Sequence, residues 1–194
     1  MQTVFSLLRD IKKELEQAFE KMPLRAPGAA EAYRPPVIHI GHMPPKVSLP
    51  TGAASEQAKA DAEPPFILIR ELDGTLKHDE KQALIHEVNI GVMCCAFSNE
   101  SYKDAEAGYH DISNMKDAVL LALNGKYYWA DDYWVRVMPV KWTSGLDKAI
   151  DAYTAGSQFH PYYGAVVTGT FYTGAMNAPR RPEVYAQEPN LRRE

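Results

Sequence analysis

Between Val4 and Met22 the apolar residues Val4, Leu7, Leu8, Ile11, Leu15, Phe19 and Met22 recur at steps of three and four, with Arg9, Lys12, Lys13, Glu16 and Glu20 set against them. That spacing gives a helix one apolar and one solvated face. It predicts an amphipathic helix ending before Pro23. Leu24 to Arg34 is rich in Ala, Gly and Pro and reads as a connector; Pro35-Pro36 then introduces a short apolar edge strand, Val37 to Ile40. From Met43 to Pro65, five prolines flank a charged, small-residue middle, the pattern of a long flexible insertion.

The period changes at Phe66. Phe66-Ile67-Leu68-Ile69 is apolar on both faces, as in a central strand, and Glu71 to Glu80 reads as a break into a turn containing Gly74. From Leu84 onward Val88, Ile90, Val92, Cys94 and Ala96 alternate with Glu87, Asn89 and Gly91, which predicts a long strand whose first half projects beyond the core. Asn99 to Gly108 is a polar loop with a Gly108-Tyr109 turn. Asp111 is placed to cap a helix with Ile112, Met115, Val119, Ala122 and Leu123 as its buried stripe, ended by Gly125. Trp134 to Val140 and Ala165 to Tyr172 predict two further strands, with a short helix and a loop across Thr143 to Phe159. This order predicts an α+β fold, one mainly antiparallel or mixed sheet with helices on one face. A single domain is expected over residues 1–174, with an insertion at about 43–65 and a C-terminal arm over 175–194.

Composition narrows the function classes. A net charge of −4 and a pI near 5.9 offer no basic face for sequence-specific nucleic-acid binding. No apolar run approaches the roughly 20 residues of a membrane span, and the first residues alternate charge with apolar groups rather than forming a signal peptide. Cys94 and Cys95 are adjacent in a strand pattern, so their side chains point to opposite faces and they are expected to be two buried thiols in a reducing compartment.

The chemistry-bearing patterns weigh lightly. His39-Ile40-Gly41-His42 spells the phosphate-holding signature of class I aminoacyl-tRNA synthetases and related nucleotidyltransferases, yet Met43-Pro44-Pro45 follows, where that signature needs a helix to start. His78-Asp79-Glu80 and His86-Glu87 are expected around a hairpin turn, and no spacing presents two imidazoles on one helix face for zinc. Asp131-Asp132 reads as a turn rather than a catalytic pair. Ser98, Ser101 and Ser157 lack a nucleophile elbow. No catalytic, cofactor-binding or metal residues are assigned. Tyr127, Tyr128, Trp129, Tyr133 and Trp134 form an aromatic cluster expected either to anchor a protein interface or to cover the sheet's own core.

The chain resembles the tail terminator, or tail-completion, proteins of long-tailed bacteriophages and prophages over roughly residues 1–173. The resemblance rests on the N-terminal helix, the Pro64-Pro65-Phe66-Ile67-Leu68-Ile69 strand entry, the long strand Leu84 to Phe97, Gly108-Tyr109-His110-Asp111-Ile112 and the paired terminal strands. The chain departs from that family in its Met43 to Pro65 insertion and its C-terminal arm. The resemblance implies a structural homo-oligomer, a hexameric ring that caps the tail tube and meets the head connector, in the virion or the host bacterial cytoplasm, without catalysis. The alternatives are another head-to-tail joining adaptor of phage origin and, in a different class, a small nucleotide-binding enzyme using His39 and His42.

Overall fold

The computed structural model describes residues 3–27, 33–42, 63–78, 84–99, 106–144 and 161–173. Helix α1 spans Val4–Phe19 and is opened by Thr3, whose hydroxyl accepts the Ser6 amide hydrogen bond at 3.4 Å. Leu7, Leu8, Ile11, Leu15 and Phe19 are buried as their spacing predicts. Each such side chain contributes roughly 1.5–3 kcal/mol on burial, so α1 is held by this stripe rather than by intrinsic propensity. Within the predicted connector, strands β1 (Leu24–Arg25) and β2 (Tyr33–Arg34) pair antiparallel as a small separate ribbon. The expected insertion lies outside the described residues except at Glu63-Pro64-Pro65, as do the expected arm and nearly all of Thr143 to Phe159.

One mixed six-stranded sheet forms the body: β3 (Val37–Ile40), β4 (Phe66–His78), β5 (Leu84–Phe97), β6 (Tyr128–Trp129), β7 (Trp134–Ser144) and β8 (Tyr162–Thr173). Their order across the sheet is β3-β4-β5-β8-β7-β6, with β3 parallel to β4 and every other pairing antiparallel. Helix α2 (Glu106–Gly125) lies beside α1, and both pack on one face of the sheet. The fold is α+β, as the order of patterns predicts. Alternation decides which side chains meet the helices: Ile67, Ile69, Val88, Ile90, Val92, Cys94, Ala96, Ala165, Val167 and Phe171 form this inner face and join the core.

Two glycines are placed differently from the sequence expectation. Gly74 sits inside β4, paired with Val88, so the strand runs on to His78 instead of turning. His78 and His86 therefore stand in paired strands, and His86 packs edge-on against Trp134 at 5.3 Å. Gly108 and Tyr109 form no turn; both lie in the first turns of α2, and Asp111 is a helical residue rather than its cap. The reason is packing. A Cβ on Gly108 would come within 3.0 Å of three carbons of the buried Tyr163 ring, so only glycine lets α2 rest against β8 there. Strand β7 also runs past Val140 to Ser144, crossing a register irregularity between Val137 and Lys141 that contains Pro139. Proline is tolerated at such a position because β7 is paired by β6 only at Trp134 and Val135.

Candidate functional site

The aromatic cluster occupies the corner between β6 and β7, and α1 holds it in place. Ala130, Asp131 and Asp132 adopt φ values of 49°, 55° and 63°, three successive non-glycine residues in the left-handed region. Asp10 of α1 anchors this costly turn: its Oδ2 accepts from the Ala130 amide at 2.8 Å and from Lys126 Nζ at 2.8 Å. Lys126 Nζ also lies 4.8 Å from the centre of the Trp129 ring, and its carbonyl accepts from Trp129 Nε1 at 3.1 Å. Arg136, buried in β7, donates from Nε to the Lys126 carbonyl at 3.2 Å and from Nη2 to the Asn124 carbonyl at 3.4 Å. It thereby satisfies carbonyls at and just beyond the α2 C-terminus.

This scaffold sorts the five aromatic residues. Trp129 and Trp134 are wholly buried in the chain's own core, where Trp129 meets Phe171 edge-on at 6.0 Å. Tyr133 is partly buried against the same cluster. Tyr127 and Tyr128 face solvent, 48% and 51% exposed, and meet each other edge-on at 5.1 Å. The surface part of the cluster is thus this tyrosine pair, backed by Tyr172 of β8. Burial first, then the nearby phenols and a hydrogen bond with Tyr127, push the Tyr172 hydroxyl above its ordinary value.

A second surface follows from the length of the β4–β5 hairpin. Beyond Ile69, β4 leaves its parallel partner β3, and Arg70 to His78 is exposed along its whole length. The inner-face row continues past Val88 as Leu76, His86 and Leu84, where Leu76 is 62% and Leu84 44% exposed. Leu76 and Leu84, beside His86 and His78, therefore carry the inner face off the helix-covered core onto a two-stranded ribbon. On the other face Lys77 and Glu87 pair at 2.7 Å, and Asn89 bridges Asp73 and the Thr170 hydroxyl, which ties β4, β5 and β8 together.

The remaining sequence candidates are not gathered into a site. His39 is half-buried in β3 and His42 is exposed after Gly41, which turns at φ 85°. Among the described residues no group of three His, Cys, Asp or Glu is placed to hold a metal, and no helix is long and apolar enough to cross a membrane. Cys94 and Cys95 are buried thiols on opposite faces, as adjacency in a strand requires. Burial, then the neighbouring Cys95, pushes the Cys94 thiol up to about 12. What sequence reasoning missed is the Leu76–Leu84 pair; the register shift between Glu71 and Asp73, which turns Leu72 to the outer face and Leu76 to the inner one, leaves no simple alternation in the sequence to reveal it. No protein-family model matches the chain, and no curated protein matches it in sequence.

Proposed function

We propose that the chain is a structural subunit of a closed ring, the tail terminator of a long-tailed phage or prophage, capping the tail tube and meeting the head connector. The observation that carries the assembly part is the projecting hairpin. A two-stranded ribbon is marginal by itself in water, and one that exposes Leu76 and Leu84 gains from a partner surface. The tyrosine pair is a surface of the kind that anchors interfaces: Tyr127 and Tyr128 are large, amphipathic and held by a fixed turn. Hairpin and tyrosines belong to opposite flanks of the sheet, the β4 side and the β6 side. Unlike surfaces on opposite flanks are what a heterologous, head-to-tail contact joins, and such contacts close into rings when the rotation permits.

In this reading the Leu76–Leu84 pair of one copy covers the Tyr127–Tyr128 pair of the next. Side-chain contact rather than strand addition makes the joint, because Pro139 and the adjacent irregularity blunt the outer edge of β7. The test is sedimentation of Leu76→Ser and Tyr128→Ala separately and mixed with the unaltered chain. Each variant is expected to weaken self-association while keeping the native circular dichroism. Unchanged association in both sinks the proposed contact. Capping itself is tested by adding the protein to growing tail tubes; tubes that lengthen as fast with it as without it favour the adaptor alternative.

A further inference from the structure

Strand β3 ends the sheet and is paired on one side only. The Val37 amide donates to the Pro65 carbonyl at 3.2 Å and the Gly41 amide to the Ile69 carbonyl at 2.8 Å. Main-chain groups alternate sides along a strand, so Val37, His39 and Gly41 turn theirs towards β4 while Ile38 and Ile40 turn theirs to the free edge. The Ile40 carbonyl accepts from the His42 amide at 3.1 Å. The Ile38 amide and carbonyl and the Ile40 amide have no hydrogen bond among the described residues. Ile38 is 5% exposed, and main-chain groups so enclosed are nearly always paired.

A groove runs along this edge, with α1 as its far wall. One hollow of about 310 Å³ lies between the Glu16–Glu20 turn of α1 and Pro35 to Ile38. A second, of about 820 Å³, shares Glu16 with it and continues past Arg9 to Ile40. The charges along the wall are sorted by end. Lys12 pairs with Glu16 at 3.5 Å. That leaves Arg9 at the Ile40 end and Glu20 at the Pro35 end, both exposed and neither in an ion pair among the described residues. Glu20 is also the C-cap of α1, where the helix dipole disfavours a carboxylate and favours a cation beside it. An extended backbone supplies the bonds that Ile38 and Ile40 lack, and a segment with opposite charges at its two ends answers Arg9 and Glu20. Along α1 these two are about 16.5 Å apart. Strand residues six positions apart span about 20 Å and share one face, and the length of the Arg9 side chain absorbs the difference. We propose that the α1–β3 groove takes an extended segment of a partner protein as an added strand, with an acidic residue beside Arg9, a basic residue beside Glu20 and apolar residues between them turned to α1. Neither the hairpin leucines nor the tyrosine pair line this groove, so the docking stands or falls apart from ring assembly.

Hydrogen exchange of the full chain, read to single amides by mass spectrometry at rising peptide concentration, tests this. The probes are acetyl-Lys-Thr-Val-Thr-Val-Thr-Glu-amide and acetyl-Glu-Thr-Val-Thr-Val-Thr-Lys-amide, which differ only in the order of their end charges. One order suits a strand added parallel to β3 and the other a strand added antiparallel. One peptide slows exchange of the Ile38 and Ile40 amides at least about 10-fold at saturation, with a Kd of about 1 mM or below. It binds about 5-fold more tightly than the other, the worth of two exposed ion pairs. The double reversal Arg9→Glu with Glu20→Arg, at exposed positions, transfers the preference to the other peptide. Unchanged exchange of both amides with either peptide at about 5 mM overturns the proposal, as does a preference that survives the double reversal. Ile38 and Ile40 amides that are protected without peptide and released on dilution overturn it too, by giving the edge to a second copy.

Discussion

Replacing Gly108 by alanine tests the packing that seats α2 on the sheet. A Cβ there would sit within 3.0 Å of three carbons of Tyr163, a ring 3% exposed and closed in by the core. Forcing a methyl group into a filled interior costs about 1–3 kcal/mol. Alanine returns up to about 1 kcal/mol of helix propensity, so the net loss reaches about 2 kcal/mol. For a domain of this size each kcal/mol moves Tm by about 2–4 °C, which gives a fall of up to about 8 °C. Gly125 is the matched control: it ends the same helix with nothing within 4 Å of its Cβ direction. Gly125→Ala should stabilise by about 0.4–1 kcal/mol through the unfolded chain. Thermal unfolding followed by circular dichroism reads both. If the clash is the cause, Gly108→Ala and Tyr163→Ala combined cost at least about 1 kcal/mol less than the sum of their separate effects. A rise in Tm for Gly108→Ala, or strict additivity of the pair, would show that Tyr163 does not exclude a side chain at Gly108.

Further outcomes follow from the corner turn and the buried thiol. Ala130→Gly, at φ 49°, should raise stability by about 1 kcal/mol in urea titration, since glycine occupies the left-handed region without penalty. Asp10→Ala removes the acceptor of the Ala130 amide and the partner of Lys126, and should cost about 1–3 kcal/mol in the same assay. The Cys94 thiol is raised from 9.0 to about 12 in the fold, so its contribution is fully present below pH 9 and is lost as pH rises from there towards 12. Unfolding free energy should fall over that window, by an amount of order 4 kcal/mol at its upper end, and Cys94→Ala should flatten the slope. A slope unchanged in that variant would assign the alkaline loss to other groups.

How much of this was legible in the chain varies with the physical origin of each element. Helix α1 was, because its stripe of Leu7, Ile11, Leu15 and Phe19 faces one core and solvates the rest. Strand β5 was, because Val88 to Ala96 alternates between a helix-covered face and an outer one. Gly74 and Gly108 misled in the same way. A glycine reads locally as a turn, yet a Cβ on Gly74 would come within 3.0 Å of the Glu87 carbonyl and one on Gly108 would strike Tyr163, neighbours distant in sequence. The pairing of β5 with β8 joins segments separated by α2, β6 and β7, and no local pattern encodes it. The aromatic corner was visible as composition. Its division into buried Trp129 and Trp134 and exposed Tyr127 and Tyr128 depends on Asp10, which the sequence places on a different element.

Assembly of the chain into a ring is read out by its absolute mass in solution. Light scattering coupled to size exclusion across a concentration series should show species rising from 21.7 kDa towards six times that value, with the rise weakened by Leu76→Ser. A mass that stays at 21.7 kDa at every concentration rules out self-assembly into a ring.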